Sequence, residues 1–539
     1  MELVNQVYET QILPLLSPLI SKVSGSQAYA VARRNKMLSI GAAVALTVVY
    51  MAYSTVTRPP KHLRHIPSAN NIKLLKAYLS GWPINDIATK ITIPAALQSD
   101  RNIYVRYDIN GWMVRIQDPV AAKKFLLKTD LFPKYSLQET RDGTINGEFF
   151  GKPNLVTVSG DQWKSHRKIA NPAFHRSMPV ELFGTLTHKL FKLMDNLGET
   201  VDYLDLMTRF TLDAIGLAGF GFDFHAIEDR HSPWVEKYDR INAAMWSPLF
   251  LFLPVLEQKF LWAFPERQRR HKDLQDFLSM LDGVIAHKRK VLKEQQQDVD
   301  QTAENEKDLL TLMIESENKG EGALSDEELK ANLCIFFLAG HDTTANSLSC
   351  AVYYLAANPD IQQKAREEAL SVLGDGPDDI HPTVEQSKNL PYINCIIRET
   401  LRMNPPAASL LPRTTTQDTD LNGVLIPKGT LIGIDVHELH HNPRVWKDPE
   451  VFNPDRFLEG GEADELTGKG MTWLPFSNGS RQCIGMNFSL AEQRVLLPLL
   501  LRKYEWSLPE DSIHKKGLVT TGMGIICPKN LQIVFKKRH

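Results

Sequence analysis

The sequence predicts a mostly helical α+β fold with a smaller β-rich part, set behind one N-terminal transmembrane helix. Three patterns carry that expectation. Residues 37–56 run for twenty positions without a charge. Helical periodicity dominates from about residue 160 to 405. Turn-bounded strand signals are confined to the flanks of that helical region. The 539 residues are 43% hydrophobic, enough for a large core. A formal net charge of −1 gives no global basic field of the kind that drives nucleic-acid binding. The five cysteines, at 334, 350, 395, 483 and 527, form no CxxC pair. They point to a reducing compartment rather than a secreted disulfide scaffold.

The N-terminal segment, 1–36, holds an apolar stretch from Ile12 to Val23 interrupted by Pro14 and Pro18, to which no function is assigned. The run at 37–56 has the length of a membrane-crossing helix and is too long and too far from the start for a cleaved signal peptide. Basic residues lie on both sides (Arg33, Arg34, Lys36; Arg58, Lys61, Arg64) and leave its orientation undecided. Pro59, Pro60 and Pro67 mark 57–67 as a stiff linker. One large catalytic domain is expected over 68–539. It opens with two strands, Ile103 to Ile116, about the turn Asn110-Gly111. Residues 246–264 are very apolar but broken by Pro248 and Pro254. They read equally as a flap against the membrane surface and as ordinary core. Lys288 to Asp308 reads as a solvated connector. Ser325 and Glu328 form a capping box that opens a helix running to Asn358, about 50 Å at ~1.5 Å per residue. A second strand-and-loop region follows Pro412 and includes Asn422-Gly423 and Pro427-Lys428-Gly429.

Three motifs carry the chemistry. Residues Pro475 to Gly485, PFSNGSRQCIG, fit F-x-x-G-x-R-x-C-x-G at five positions, a chance match of roughly one in ten thousand. Ala339-Gly340-His341-Asp342-Thr343-Thr344 lies within the long helix. Its small residues allow close approach to a flat group, and its adjacent acid and alcohol suit proton delivery. Glu399 and Arg402 are spaced to share a helix face, on a helix opened by Pro391 and ended before Pro405-Pro406; Phe452-Asn453-Pro454-Asp455-Arg456-Phe457 follows downstream. His341 and the step His440-His441 find no further ligands at metal-binding spacing.

In these motifs and their order the sequence resembles the cytochrome P450 family, over about residues 68 to 539. The resemblance implies heme b (iron protoporphyrin IX), held noncovalently and ligated by Cys483 alone. Backbone N–H groups of a tight loop would keep that sulfur deprotonated. Gly479 would let the loop turn, and Gly485 would let a helix start close beneath the porphyrin. Phe476 would cover the sulfur. Arg481, Trp163 with Arg167, and Arg413 would meet the propionates. Asp342 and Thr343 take the catalytic, proton-delivering roles, and Glu399, Arg402 and Arg456 form a buried structural ion cluster. The implied reaction inserts one atom of O2 into a C–H bond of a lipophilic small molecule. A steroid, fatty acid, terpenoid or xenobiotic fits the apolar Ala407, Ala408, Leu410 and Leu411, with a steroid slightly preferred. Other segments expected to reach the substrate are the loop before Trp163, 246–264 and the turn at 521–523. Only 56 residues follow Cys483 and no flavin or nicotinamide fingerprint is present. Electrons are therefore expected from a separate NADPH–cytochrome P450 reductase, with cytochrome b5 as a second donor, docking near Lys164 and Lys168. The expected setting is the endoplasmic reticulum membrane, single-pass, with the catalytic domain cytosolic. Two other readings stand beside this one. A heme-thiolate isomerase or dehydratase acting on lipid peroxides would need no Asp342-Thr343 pair, and neither would a non-catalytic heme-binding carrier.

Overall fold

The computed structural model describes residues 36–136, 138–150, 152–175, 178–295, 307–318, 324–521 and 524–539. The N-terminal segment to 35, the centre of the polar connector (296–306) and the turn at 522–523 lie outside the described residues. The uncharged run forms one helix, α1 (Lys36–Thr57), long and apolar enough to cross a membrane. Val44, Leu46, Val49 and Met51 on it are exposed, a surface that water disfavours by about 25 cal/mol per Å². This helix belongs to a unit ending at Lys61, and a second unit runs from His62 to His539. Leu63 and Ile66, within the stretch that the prolines mark as a linker, are buried in the second unit.

In the second unit β1 (Ile103–Asp108) and β2 (Gly111–Ile116) pair antiparallel, as the alternating pattern predicts. The turn residues are Ile109 and Asn110, so the turn falls one residue earlier in the chain than expected and the Asn-Gly step sits one residue later in it. Gly111 opens β2 at φ +100°, a backbone region a Cβ would strain. The helical part contains α2 (Gly160–His175), α3 (Tyr203–Ile215), α4 (Pro233–Met245), α5 (Asp326–Ala357) and α6 (Pro391–Met403). Two short strands follow, β3 (Arg413–Thr414) and β4 (Leu431–Ile434), and then α7 (Met486–Lys503). The sheet order is β1-β2-β4-β3, with β2 and β4 parallel and the other pairs antiparallel. One apolar core lies among the helices and another lines the sheet.

α5 runs through the helical core. Its capping box is formed: Ser325 Oγ accepts from Glu328 N–H at 3.2 Å, and Glu328 Oε2 accepts from Ser325 N–H at 3.0 Å. Beyond its first turn most of its apolar side chains are buried, on more than one face. α3 packs against it closely enough that a Cβ on Gly340 would lie 2.7 Å from Ile215 Cγ1. The two prolines in 246–264 cut that segment into two short helices, Pro248–Phe252 and Pro254–Phe260. Glu257 turns inward there, accepting from Arg267 Nε at 2.8 Å and Nη2 at 2.7 Å.

α6 carries the predicted ion cluster. Glu399 and Arg402 are wholly buried and meet through two bonds, Nε to Oε2 at 2.7 Å and Nη2 to Oε1 at 2.9 Å. Arg456 Nε lies 3.4 Å from Glu399 Oε1, and Arg456 also pairs with Glu462, a member no motif announces. Losing one partner strands a buried charge, at a cost of about 3–5 kcal/mol. Urea unfolding of Glu399→Leu should show a loss of that size, and the double variant with Arg402→Met a smaller one.

Candidate active site

The loop from Pro475 to Gly485 is closed by its own backbone: Cys483 N–H donates to Phe476 O at 2.9 Å. Gly479 stands at φ +71°, where a Cβ would also come within 3.2 Å of Leu126 O, so this turn needs glycine. Gly485 caps α7, and a Cβ there would make only ordinary contacts. The loop thus presents Cys483 to a cavity. Burial pushes the Cys483 thiol up, against the pull of the Gly485 and Met486 N–H groups and of Arg167.

The cavity walls come from α2 (Trp163, Arg167), α3 (Ile215), α5 (Ala339, Gly340, Thr343) and the cysteine loop, Phe476 included. Its polar side is cationic. Arg481 stacks over Trp163 at 4.3 Å and donates to Val158 O at 2.6 Å. Arg413, not itself a wall residue, stacks over Phe125 at 4.7 Å and donates to its carbonyl at 3.1 Å. Lys134 is bridged to Arg413 through the backbone and lines the cavity with Arg481. Burial, with Arg413 and Arg481 nearby, pulls Lys134 down to about 7. Burial also lowers both arginines to about 10. Among the described residues no acidic side chain is paired with any of the three. Lys134 belongs to no motif, and nothing in the sequence marks it. Arg167, by contrast, braces the loop, with Nη1 on Gln482 O at 3.0 Å and Nε on Asn171 Oδ1 at 2.7 Å.

Asp342 and Thr343 are not brought together. Successive helical residues diverge by about 100°, and only Thr343 lines the cavity, its Oγ1 donating to Ala339 O at 2.8 Å. Asp342 faces α4, where Oδ2 accepts from Tyr238 OH at 2.6 Å and Asn242 Nδ2 at 3.3 Å. His341 Nε2 lies 3.1 Å from Asp342 Oδ1 without hydrogen-bond geometry. Burial opposes a charge on His341, yet Asp342 beside it holds its pKa above the usual value. Gly340 serves the packing of α3 through Ile215 as well as the cavity wall. The step His440-His441 is structural. His440 Nδ1 sits 3.1 Å from Arg402 O, while its Nε2 accepts from Leu474 N–H at 2.9 Å. Among the described residues no cluster of His, Cys, Asp or Glu is placed to hold a metal.

A thiol, the unneutralised Lys134 and Arg481, and apolar walls around one cavity suit a large, flat, acidic prosthetic group bound through sulfur. Comparison with known proteins agrees. The sequence model for cytochrome P450 matches residues 102–535. Cytochrome P450 3A5 of Homo sapiens is 31% identical over 69% of this chain and 74% of its own length. Cytochrome P450 3A12 of Canis lupus familiaris is 31% identical over 80% and 83%, and cytochrome P450 4X1 of Rattus norvegicus 30% identical over 72% and 75%. The crystal structure of the cytochrome P450DA heme domain shares the fold, with a TM-score of 0.71 at 24% identity, covering 88% of this chain and 98% of that one. The chain belongs to the cytochrome P450 family and is a heme-dependent monooxygenase. The cationic wall fits the acidic edge of that cofactor, so Lys134→Met should speed heme loss to apomyoglobin by about tenfold, the value of one charge-assisted hydrogen bond.

Proposed function

We propose that this protein is a membrane-anchored heme-thiolate monooxygenase that hydroxylates a lipophilic small molecule with electrons from a separate NADPH-dependent reductase. The observation that carries this reading is the cavity that Cys483 and Thr343 share with the unneutralised Lys134 and Arg481. Cys483 Sγ is the metal ligand, with Phe476 and the loop backbone around it. Lys134, Arg413 and Arg481 hold the propionates of heme b, while Arg167 and Trp163 act on the loop and on Arg481. Bound there, heme supplies the activation of O2 and the oxidation of a C–H bond, which a thiolate ligand favours by donating electron density. The apolar walls exclude bulk water and orient a lipophilic substrate, a steroid, fatty acid, terpenoid or xenobiotic. Thr343 Oγ1 holds a proton at the cavity wall. Asp342 is the reserve acid one layer behind it, kept in place by Tyr238 and Asn242.

α1 serves as a single-pass anchor, in the endoplasmic reticulum membrane, with the body on the cytosolic side. The segment 246–264 supports a membrane-facing role rather than core: Leu249, Leu253 and Val255 are exposed, and Trp262 is 74% exposed. The exposed Lys164 and Lys168 offer cations to an acidic reductase or to cytochrome b5; charge reversal there should slow reduction at low salt.

The dithionite-reduced, CO-bound spectrum tests the ligand. Wild type should show a strongly red-shifted Soret band that Cys483→Ser lacks, and an ordinary histidine-type band in wild type would end the reading. In Thr343→Ala, substrate turnover should fall on the order of 100-fold while NADPH oxidation and peroxide release continue. Turnover of a lipid hydroperoxide without NADPH would point instead to an isomerase.

A further inference from the structure

α2 and α5 are joined by a buried run of hydrogen bonds that neither of their motifs contains. His166 stands at an unspecified position of W-x-x-x-R, and Asn332 lies seven residues before Ala339. Asn332 is 1% exposed, and main chain fixes both ends of its carboxamide. Oδ1 accepts from Leu155 N–H at 2.9 Å, and Nδ2 donates to Glu328 O at 2.7 Å. The second Nδ2 hydrogen meets His166 Nδ1 at 3.2 Å. His166 therefore accepts at Nδ1 and carries its proton on Nε2, which lies 3.2 Å from Glu328 Oε1. The imidazole is buried as well, and every polar atom of the two side chains is used.

The far end of the run is the loop 154–159. Asn154 Oδ1 shapes it by accepting from Val156 and Thr157 N–H, at 3.0 and 3.2 Å. Leu155 and Val156 line the cavity of Cys483. Both wall cations lean on this loop. Arg481 donates to Leu155 O at 3.5 Å, to Val158 O at 2.6 Å and to Ser159 Oγ at 3.4 Å. Lys134 gives its backbone N–H to the same Ser159 Oγ at 3.2 Å. A buried N–H stripped of its acceptor is costly, so without Asn332 the Leu155 peptide turns toward another acceptor. The carbonyls that aim Arg481 turn with it.

We propose that His166 and Asn332 are positioning residues for the prosthetic group, holding the 154–159 loop so that Arg481 and Lys134 face its carboxylates. The inference rests on the heme reading and concerns the propionate side alone. Among the described residues neither side chain is hydrogen-bonded to the cysteine loop.

The test uses the heme-loaded full chain in lipid nanodiscs and reads three signals. The reduced, CO-bound Soret band reports the sulfur, the propionate-bending band of the resonance Raman spectrum reports the cations, and transfer to apomyoglobin reports heme loss. In Asn332→Ala and in His166→Phe the Soret band should stay at its wild-type position while the propionate band shifts. Heme transfer should speed up about tenfold, as when other groups that orient a ligand from behind are removed. His166→Gln, whose amide accepts at one atom and donates at the other, should bring transfer back to within about twofold of wild type. Joining His166→Phe to Asn332→Ala should add nothing to Asn332→Ala alone, because both cut one run. Gln162 Nε2 also donates to Glu328 Oε1, at 3.2 Å, but is not bonded to Asn332, so Gln162→Ala should leave all three signals unmoved.

A wild-type propionate band and wild-type heme transfer in Asn332→Ala would overturn the inference. So would a His166→Gln chain no better than His166→Phe, or a Gln162→Ala chain that behaves like Asn332→Ala. If Asn332→Ala does not fold, the His166→Phe and His166→Gln pair decides by the same criteria. A wild type without the red-shifted Soret band would overturn the heme reading itself, and the inference with it.

Discussion

Arg402 and Glu399 have no contact with water, and placing two such charges in a protein interior costs several kcal/mol per ion unless every polar atom is bonded. Here the guanidinium is fully used. Its five N–H groups meet two oxygens of Glu399 and the carbonyls of His440, Pro449 and Val451. Three of those carbonyls belong to chain far from α6, so satisfying one side chain fixes the path of the 440–451 segment. His440 extends the fixation: one ring nitrogen meets Arg402 O, and the other accepts from Leu474 N–H. The next residue begins the loop that carries Cys483. The position of the sulfur is thus set by a run of bonds that starts at a charge pair more than 70 residues upstream.

Two cavities treat charge in opposite ways. Near the first, Lys134, Arg413 and Arg481 are gathered without a paired acid among the described residues; burial makes each easier to deprotonate, and neighbouring cations add to this for Lys134 and Arg481. Such a group of cations is stable only when something anionic completes it. The second, walled in part by Arg106, Asp108, Arg115 and Glu438, has the carboxylates of Asp108, Asp435 and Glu438 against two guanidiniums, and the surplus falls on Glu438. A chain with nearly balanced overall charge therefore carries two local imbalances of opposite sign.

What the sequence discloses is what lies close together along it. The cysteine loop, the capping box of α5, the strands about Asn110 and the α6 pair all depend on spacings of a few residues, and the structure contains each of them. What stays hidden depends on contacts across the chain. Asp342 is a neighbour of Thr343 in sequence, yet the turn of the helix commits it to Tyr238 and Asn242 on α4. Lys134 reaches the cavity only because its backbone is bridged to Arg413, and Glu462 enters the ion cluster by a fold of the chain around Arg456. For 246–264 hydropathy measures how apolar the stretch is but not which way it faces. The inward turn of Glu257 onto Arg267 shows that the polar residue is the buried one, and Trp262 the outer one.

The seam between α3 and α5 limits how the cavity wall can change. A Cβ on Gly340 would meet Ile215 at Cγ1 and at Cβ, 2.7 and 3.2 Å away, too near the backbone for a rotamer change to relieve. Residues 215 and 340 both line the first cavity, so together they set the width of the wall there. Enlarging one requires trimming the other. The two positions behave as a single variable, to be altered in pairs or not at all when this cavity is reshaped for a different substrate.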